Sequence, residues 1–262
     1  MLIERIWAAN DYRNYHYLIA CPETGEALAI DPLDWRKCQA RAAERGWTIT
    51  QILNTHEHRD HTGGNEGLRA VTHARVLAHE GAAGEIGGVD EGLHRGSIVK
   101  VGRSVDLECL DTPGHTYTHI CVLAHGDEPA LFSGDTLFNA GAGNCHSGSA
   151  DLLFETFEQQ LARLAPTTRI YPGHDYLARN LEFTVSLEPH NSTAAEWLKE
   201  AETHQAEQAR ITTLADEQRI NTFLRLDEPE VIEQLRQKFP DLGARPDPRQ
   251  VFLRLRELRN SW

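Results

Sequence analysis

Along the first two-thirds of the chain, short apolar runs alternate with clusters of turn residues, the texture of strands joined by loops. Strands are predicted at Tyr15–Ala20, Ala27–Ile30, Ile49–Leu53, Val105–Leu110, Ile120–Ala124, Ala130–Ser133 and Arg169–Tyr171. Helical stretches fall between some of them. Trp35–Arg45 stops at Gly46, a residue suited to the left-handed turn that closes a helix. A second helix is predicted from about Leu152, with Leu153, Phe157, Leu161 and Leu164 on one face and an end at Pro166.

After about Asp175 the texture becomes helical. Thr193-Ala-Ala-Glu196 reads as a capping box opening a helix that runs through Ala209. Asp247-Pro248 suits an N-cap and first helical position, with Val251, Leu255 and Leu258 on one stripe beyond it. The expected organisation is therefore an α/β domain over residues 1–175 and a smaller, mainly helical domain over 176–262.

Composition narrows the class. With 262 residues, 40% hydrophobic and 25% charged, the chain is an ordinary globular protein rather than a disordered or fibrous one. No stretch approaches the roughly 20 apolar residues that span a bilayer, and the N-terminus lacks the apolar core of a signal peptide. A cytoplasmic protein is expected. Cys21, Cys38, Cys109, Cys121 and Cys145 are odd in number, scattered and without a CxxC pair, which points to reduced thiols. A formal charge of −13 argues against nucleic acid or an anionic membrane as partner. The tail from Arg245 to Trp262 reverses that sign, with five arginines against two acids, so it either meets an anion or forms a solvated helix face. The sequence assigns no oligomeric state.

The chemistry concentrates in Thr55-His56-Glu57-His58-Arg59-Asp60-His61, four potential metal ligands within six residues, directly after the strand-like run Ile49–Leu53. Alternate residues of an extended segment share a face, so His56 and His58 can converge on one ion. Asp60 and His61, at the turn beyond, can face a second. Three later segments repeat one local grammar of apolar run, turn and ligand: Thr112-Pro-Gly-His115, Gly134-Asp135 and Pro172-Gly-His174. Loops beyond strand ends gather functional groups at one edge of a sheet. Imidazole with carboxylate suits zinc, iron or manganese, whereas calcium and magnesium prefer oxygen alone. A lone HxH, or any one of the later residues, would carry little weight; the combination predicts a metal site. His73, His94, His125, His190 and His204 read as surface or satisfied core residues, and His119 as a packing residue behind the ligands.

Thr-His-Glu-His-Arg-Asp-His resembles the THxHxDH signature of the metallo-β-lactamase superfamily, and TPGHT, SGDTLF and YPGHD resemble its later ligand motifs in the same order. Within that superfamily the chain is most similar to the glyoxalase II, or hydroxyacylglutathione hydrolase, family over nearly its full length. Arg219–Arg225 and Phe252–Arg259 resemble family segments of the helical region. The resemblance implies an αββα sandwich and two divalent ions, zinc by preference with iron or manganese as alternatives. It places His56, His58 and His115 on one ion, Asp60, His61 and His174 on the other, and Asp135 between them.

Two adjacent ions lower the pKa of bound water from about 15.7 to about 7 and supply a bridging hydroxide that attacks an acyl carbonyl. The ions then stabilise the developing oxyanion, with Asp60 and Asp135 orienting the nucleophile. A thiolate leaves without a strong general acid, so the expected substrate is a small-molecule thioester, S-lactoylglutathione in particular. No Gly-x-Ser-x-Gly elbow competes with this scheme.

The chain departs from the family where a lysine and a tyrosine usually hold the glutathione moiety: Asn144 and His146 stand there. Asparagine cannot reproduce an ammonium–carboxylate contact. Arg256 and Arg259, three apart on a helix, share a face and are candidates to grip a carboxylate. Leu33 after Asp31-Pro32, and Thr118 between His115 and His119, replace glycines common among relatives. Three alternatives stay open: hydrolysis of another thioester, ester or lactone; a mononuclear iron persulfide dioxygenase, which needs fewer ligands; and a binding protein of weak activity.

Overall fold

The computed structural model describes residues 1–262. A first sheet is built from β1 (Leu2–Trp7), β2 (Tyr15–Ala20), β3 (Glu26–Ile30), β4 (Thr48–Leu53), β5 (Arg75–His79) and β6 (Glu91–Leu93), paired in that order. A second contains β7 (Ile98–Val101), β8 (Val105–Asp111), β9 (Ile120–Ala124) and β10 (Ala130–Gly134). After a short ribbon, β11 (Leu137–Phe138) and β12 (Gly141–Ala142), it is completed by β13 (Arg169–Pro172), giving the order β13-β10-β9-β8-β7.

The alternation within β2 shows why the sheets stack. Tyr15, Tyr17 and Ile19 face the second sheet, in a core with Leu107, Val122, Phe132 and Tyr171. Leu18 and Ala20 point the other way, into a core shared with α1 (Trp35–Arg45), behind the short α2 (Arg59–Thr62), and with α3 (Asn65–Thr72). A strand buried on both faces reads as a nearly continuous apolar run, and all six residues of β2 are buried. The outer face of the second sheet is covered by α4 (Ala150–Gln159) and by three helices of the helical region, α5 (Leu177–Leu187), α8 (Pro229–Lys238) and α9 (Pro248–Ser261), while α6 (Ser192–Ala201) and α7 (Leu214–Ile220) pack with α5 in a separate small core. Leu110, Leu123 and Leu131 from that sheet share one core with Leu153 and Phe157 of α4 and Val251, Phe252 and Leu255 of α9. The layers are thus αββα, the architecture expected from the sequence, and the helical region packs directly on the sandwich.

Strand direction explains the repeated grammar of run, turn and ligand. β3, β4 and β5 are mutually parallel. β8 and β10 are both antiparallel to β9, and β13 is parallel to β10, so β8, β10 and β13 also share one direction. The loops that follow β3, β4, β8, β10 and β13 gather at one edge of the sandwich.

All seven predicted strands are present, most one residue longer. β1, β5, β6, β7 and the β11–β12 ribbon were not predicted, because they are short or carry charged residues that blur the alternation, as in Leu-Ile-Glu-Arg-Ile-Trp. Helix α1 matches its predicted span, with the Asp34 side chain accepting from Lys37 N and Gly46 left-handed at φ 70°. Two helical expectations are corrected. The helix predicted from Leu152 to Pro166 begins at Ala150, where Ser149 caps Leu152 N, and ends at Gln159, with a separate short turn at Leu161–Arg163. The capping box expected at Thr193…Glu196 does not exist: the Asn191 side chain accepts from Ala194 N at 3.0 Å, which starts α6 at Ser192. That helix stops at Ala201 rather than Ala209, where Thr203 Oγ1 donates back to Glu200 O. Capping boxes are found instead at Thr213…Asp216 and at the predicted Asp247 start, where Asp247 pairs with Gln250.

Candidate metal centre

His56 follows β4 and is fully buried, while His58 is the N-cap of α2, whose single turn carries Asp60 and His61. His115 lies beyond β8, Asp135 directly after β10, and His174 two residues after β13. Two glycines make room for this convergence. Gly134 sits at φ +47°, and a Cβ there would fall 2.6 Å from Thr55 Oγ1 and 2.7 Å from His119 Nε2. At Gly173 a Cβ would lie 2.5 Å from Asp135 Oδ1 and 3.0 Å from His61 Cε1.

The ring nitrogens form two clusters. His56 Nε2 lies 3.0 Å from His58 Nδ1, which is 3.1 Å from His115 Nε2. His61 Nε2 and His174 Nε2 are 3.2 Å apart, with Asp60 Oδ2 at 3.4 and 3.6 Å from them respectively. Asp135 stands between the clusters: Oδ1 is 3.4 Å from His61 Nε2, and Oδ2 is 3.2 Å from His174 Nε2 and 3.6 Å from His115 Nε2. Sequence reasoning named all seven residues, and the fold brings all seven together.

The far side of each ring sets its tautomer. His115 Nδ1 donates to the Asn144 carbonyl at 2.7 Å and His174 Nδ1 to the Tyr12 carbonyl at 2.6 Å. His61 Nδ1 donates to Asp31 Oδ2 at 3.0 Å. Thr55 Oγ1 donates to the same oxygen at 2.7 Å, which leaves the hydroxyl to accept from His56 Nδ1 at 3.0 Å. These bonds hold the protons on Nδ1 and turn bare Nε2 lone pairs inward. Lone pairs 3.2 Å apart repel, and Asp135 Oδ1 is buried without a hydrogen-bond partner. Positive charge between these atoms resolves both problems, so the donor set fits cations.

The titration behaviour agrees. Burial holds His56, His115 and His119 below the ordinary histidine pKa, in the neutral form a ligand needs. Burial would lower His61 too, but the charges of Asp135 and Asp31 outweigh it and push its pKa well above normal. Burial would raise Asp135, yet His174 and His61 beside it hold its carboxyl well below the usual range. A site that draws a proton onto His61 is one that a divalent cation can occupy in its place.

Behind the ligands, His119 is fully buried, as its packing role required: Nε2 accepts from Asp135 N at 3.1 Å, and Nδ1 meets the hydroxyls of Thr112 and Thr136 at 3.0 Å. Glu57 Oε2 accepts from Thr118 Oγ1 at 2.8 Å and Thr116 Oγ1 at 3.0 Å, tying the His56–His58 loop to the loop after β8. Thr118, at a position where glycine was expected, therefore has a structural use.

A cavity of about 1140 Å³ reaches the centre through Asn144, which holds His115, and Tyr176, which stacks on His174; none of the seven residues lines it. Asn144, His146, Arg256 and Arg259 do. Their engagements differ. Arg256 is buried, with Nη1 donating to the carbonyls of Ala142 and Gly143 at 2.9 Å each, so it braces the segment whose next residue, Asn144, holds His115. The basic tail divides: Arg249 and Arg254 pair outward with Asp151, Asp241 and Glu257, while Arg256 and Arg259 turn inward. His204, read from the sequence as surface or satisfied core, is corrected: it lines the cavity, its Nε2 lacks a hydrogen-bond partner, and it lies 3.4 Å from Asp175 Oδ2. The early end of α6 brings it there. Asp31, Asn14 and Tyr176 were not singled out. Asn14 Nδ2 donates to Asp60 Oδ2 at 3.2 Å, and the Tyr176 ring stacks on His174 with centroids 4.9 Å apart. Asp31 obeys the same grammar as the ligands, being the first residue after an apolar strand.

Clustered imidazoles and carboxylates at one edge of an αββα sandwich define a candidate metal centre. Comparison with known proteins refines that reading. The metallo-beta-lactamase superfamily model matches residues 16–201, and the model for the hydroxyacylglutathione hydrolase C-terminus matches residues 175–262. Hydroxyacylglutathione hydrolases from Polaromonas sp. and Nitrosococcus oceani are 58% and 59% identical to this chain, each covering 100% of both sequences. The crystal structure of ETHE1 from Myxococcus xanthus superposes with a TM-score of 0.68 at 26% identity, over 100% of this chain and 99% of that one. The chain belongs to the metallo-beta-lactamase superfamily and, within it, to the hydroxyacylglutathione hydrolase family. No helix is long and apolar enough to cross a membrane.

Proposed function

We propose that the chain hydrolyses S-2-hydroxyacylglutathione thioesters, S-lactoylglutathione foremost, to a 2-hydroxy acid and glutathione. The observation that carries the reading is the inward array of imidazole nitrogens and carboxylate oxygens around Asp135, near a cavity of about 1140 Å³. The full-length relatives named for this reaction support it. His56, His58 and His115 would hold one divalent ion and Asp60, His61 and His174 the other, with Asp135 between them; zinc suits these donors, as do iron and manganese. Such ions supply Lewis acidity, making water nucleophilic at neutral pH and polarising an acyl oxygen.

The rest is done by side chains. Asp60, with a side chain 23% exposed against 8% for Asp135, is the carboxylate placed to take a proton from the attacking water. Asn14 keeps its Oδ2 aimed at the site. The carbonyls of Tyr12 and Asn144 keep His174 and His115 in the ligating tautomer through catalysis. A thiolate departs with little protonation, consistent with the lack of any further general acid. Residues 176–262 we assign as the substrate-binding domain, with Arg259 on α9 lining the same cavity as Asn144 and His146. Five unpaired cysteines suit a reducing compartment, and we place the enzyme in the cytoplasm.

The test is turnover of S-D-lactoylglutathione by metal-replete protein, followed by release of free thiol, with Asp135→Ala alongside. Thiol release that is abolished by the substitution is the expected result. Metal-loaded protein that leaves this thioester intact would overturn the assignment.

A further inference from the structure

Four of the five clustered histidines turn Nε2 inward and hold Nδ1 outward, against Thr55, Asp31, Asn144 and Tyr12. His58 is reversed. Its Nδ1 faces the cluster, 3.0 Å from His56 Nε2 and 3.1 Å from His115 Nε2, and its Nε2 points away. Nδ1 is the ring nitrogen nearer the main chain. That suits a residue only two positions beyond His56, fixed as the N-cap of α2 by bonds from His61 N and Thr62 N to its carbonyl at 3.0 Å. A neutral ring that offers Nδ1 to a cation keeps its proton on Nε2. The partner that Nε2 finds is Ser147 Oγ, at 2.8 Å.

Ser147 is exposed, but its main chain is held. It forms a β-bridge with Thr116, and Ser149 N donates to Gly114 O at 2.9 Å. Between them Gly148 lies so close that a Cβ would fall 2.1 Å from Gly114 O and 2.6 Å from His115 O. Asn144 O accepts from His115 Nδ1 at 2.7 Å. The segment 144–149 is therefore seated on the loop that carries His115 and reaches from there to His58. It holds the outer nitrogen of two of the three histidines in one cluster and of none in the other. Thr116 Oγ1 closes the circuit by donating to Glu57, the neighbour of His58, at 3.0 Å.

We propose that Ser147 is a positioning residue for the ion that His56, His58 and His115 would hold. Its hydroxyl accepts from His58 Nε2, fixes the proton there and leaves Nδ1 bare for the metal. This rests on the two-ion part of the proposed function and is independent of which thioester is cleaved. Water can take the place of an exposed hydroxyl, so the contribution lies at the low end for such outer partners, about tenfold in metal affinity. The ion near Asp60, His61 and His174 has no partner on this segment and should be indifferent to the change.

The test titrates zinc-loaded wild type, Ser147→Ala and Ser147→Thr with a chromophoric chelator, while ring proton–nitrogen spectra identify which histidines lose metal at each step. Ser147 is exposed, so both variants should fold, and circular dichroism checks that they do. In Ser147→Ala, zinc bound to His58 and His115 should be held about tenfold more weakly than in wild type, with the zinc on His61 and His174 unchanged. In metal-free protein the His58 ring, an Nε2–H tautomer in wild type, should become a mixture of tautomers. Ser147→Thr keeps the hydroxyl and should restore both readouts. Unchanged zinc release in Ser147→Ala, equal weakening of both ions, or a threonine variant as weak as the alanine one would overturn the role of Ser147 while leaving the two-ion centre in place. Wild type that binds no zinc would remove the centre and this role together.

Discussion

Asp31 is not itself a candidate ligand, yet substituting it should disarm the site. Its Oδ2 accepts from His61 Nδ1 at 3.0 Å and from Thr55 Oγ1 at 2.7 Å, while Oδ1 accepts from Thr55 N at 2.8 Å. Asp31→Asn is the informative change, because the residue sits at φ +49°, a conformation asparagine tolerates better than most. The amide oxygen can keep the Thr55 N–H, but the NH₂ group then faces two donors. His61 loses the acceptor that fixes its proton on Nδ1, and Thr55 loses the one that orients it towards His56. An orphaned buried donor costs about 1–3 kcal/mol, and loss of such an outer partner typically weakens metal affinity about 10–100-fold. We expect the loss to fall mainly on the ion held by Asp60, His61 and His174. The assay is competition with a chromophoric chelator, titrated for each protein and read per chain. Two unchanged affinities in Asp31→Asn would refute the argument that this carboxylate sets the tautomer of His61.

Two other substitutions test different parts of the account. Gly173→Ala places a methyl 2.5 Å from Asp135 Oδ1; metal content should fall while circular dichroism stays native, and full metal loading would show that the loop yields. Glu217 is buried, and burial raises its pKa to about 7, against the opposing bonds from Thr212, Asn221 and Ala140 N. The folded state therefore binds this proton more tightly than the unfolded chain. Its contribution is intact below about pH 4.5 and is lost as pH rises towards 7, on the order of 3 kcal/mol. Melting temperatures measured from pH 4.5 to 8 should decline less in Glu217→Gln than in wild type; parallel profiles would contradict the sign.

What the sequence disclosed, and what it hid, follows from where information is carried. The ligands were legible because each side chain closes an apolar strand with a short turn, and the shared direction of β4, β8, β10 and β13 carries them to one edge. Asp31 fits that grammar but lay outside the histidine-rich signature. The carbonyls of Tyr12 and Asn144 are main-chain groups, so no residue type announces them. Asn191, two residues before Thr193, took the cap because its side chain accepts from Ala194 N. Arg179 looked like any charge on the outer face of an amphipathic helix; only the packing of α5 beside α9 reveals that this face borders a cavity. His204 reached the same cavity through the early end of α6, which no local pattern signalled.

Whether a centre of two divalent ions drives thioester hydrolysis is decided by one titration. Chelator-stripped protein is given increasing zinc, and S-D-lactoylglutathione turnover is recorded against metal bound per chain. The account predicts no turnover in the stripped protein and a rise that levels off only at two ions per chain. Turnover without metal, or a plateau at one ion, would contradict it.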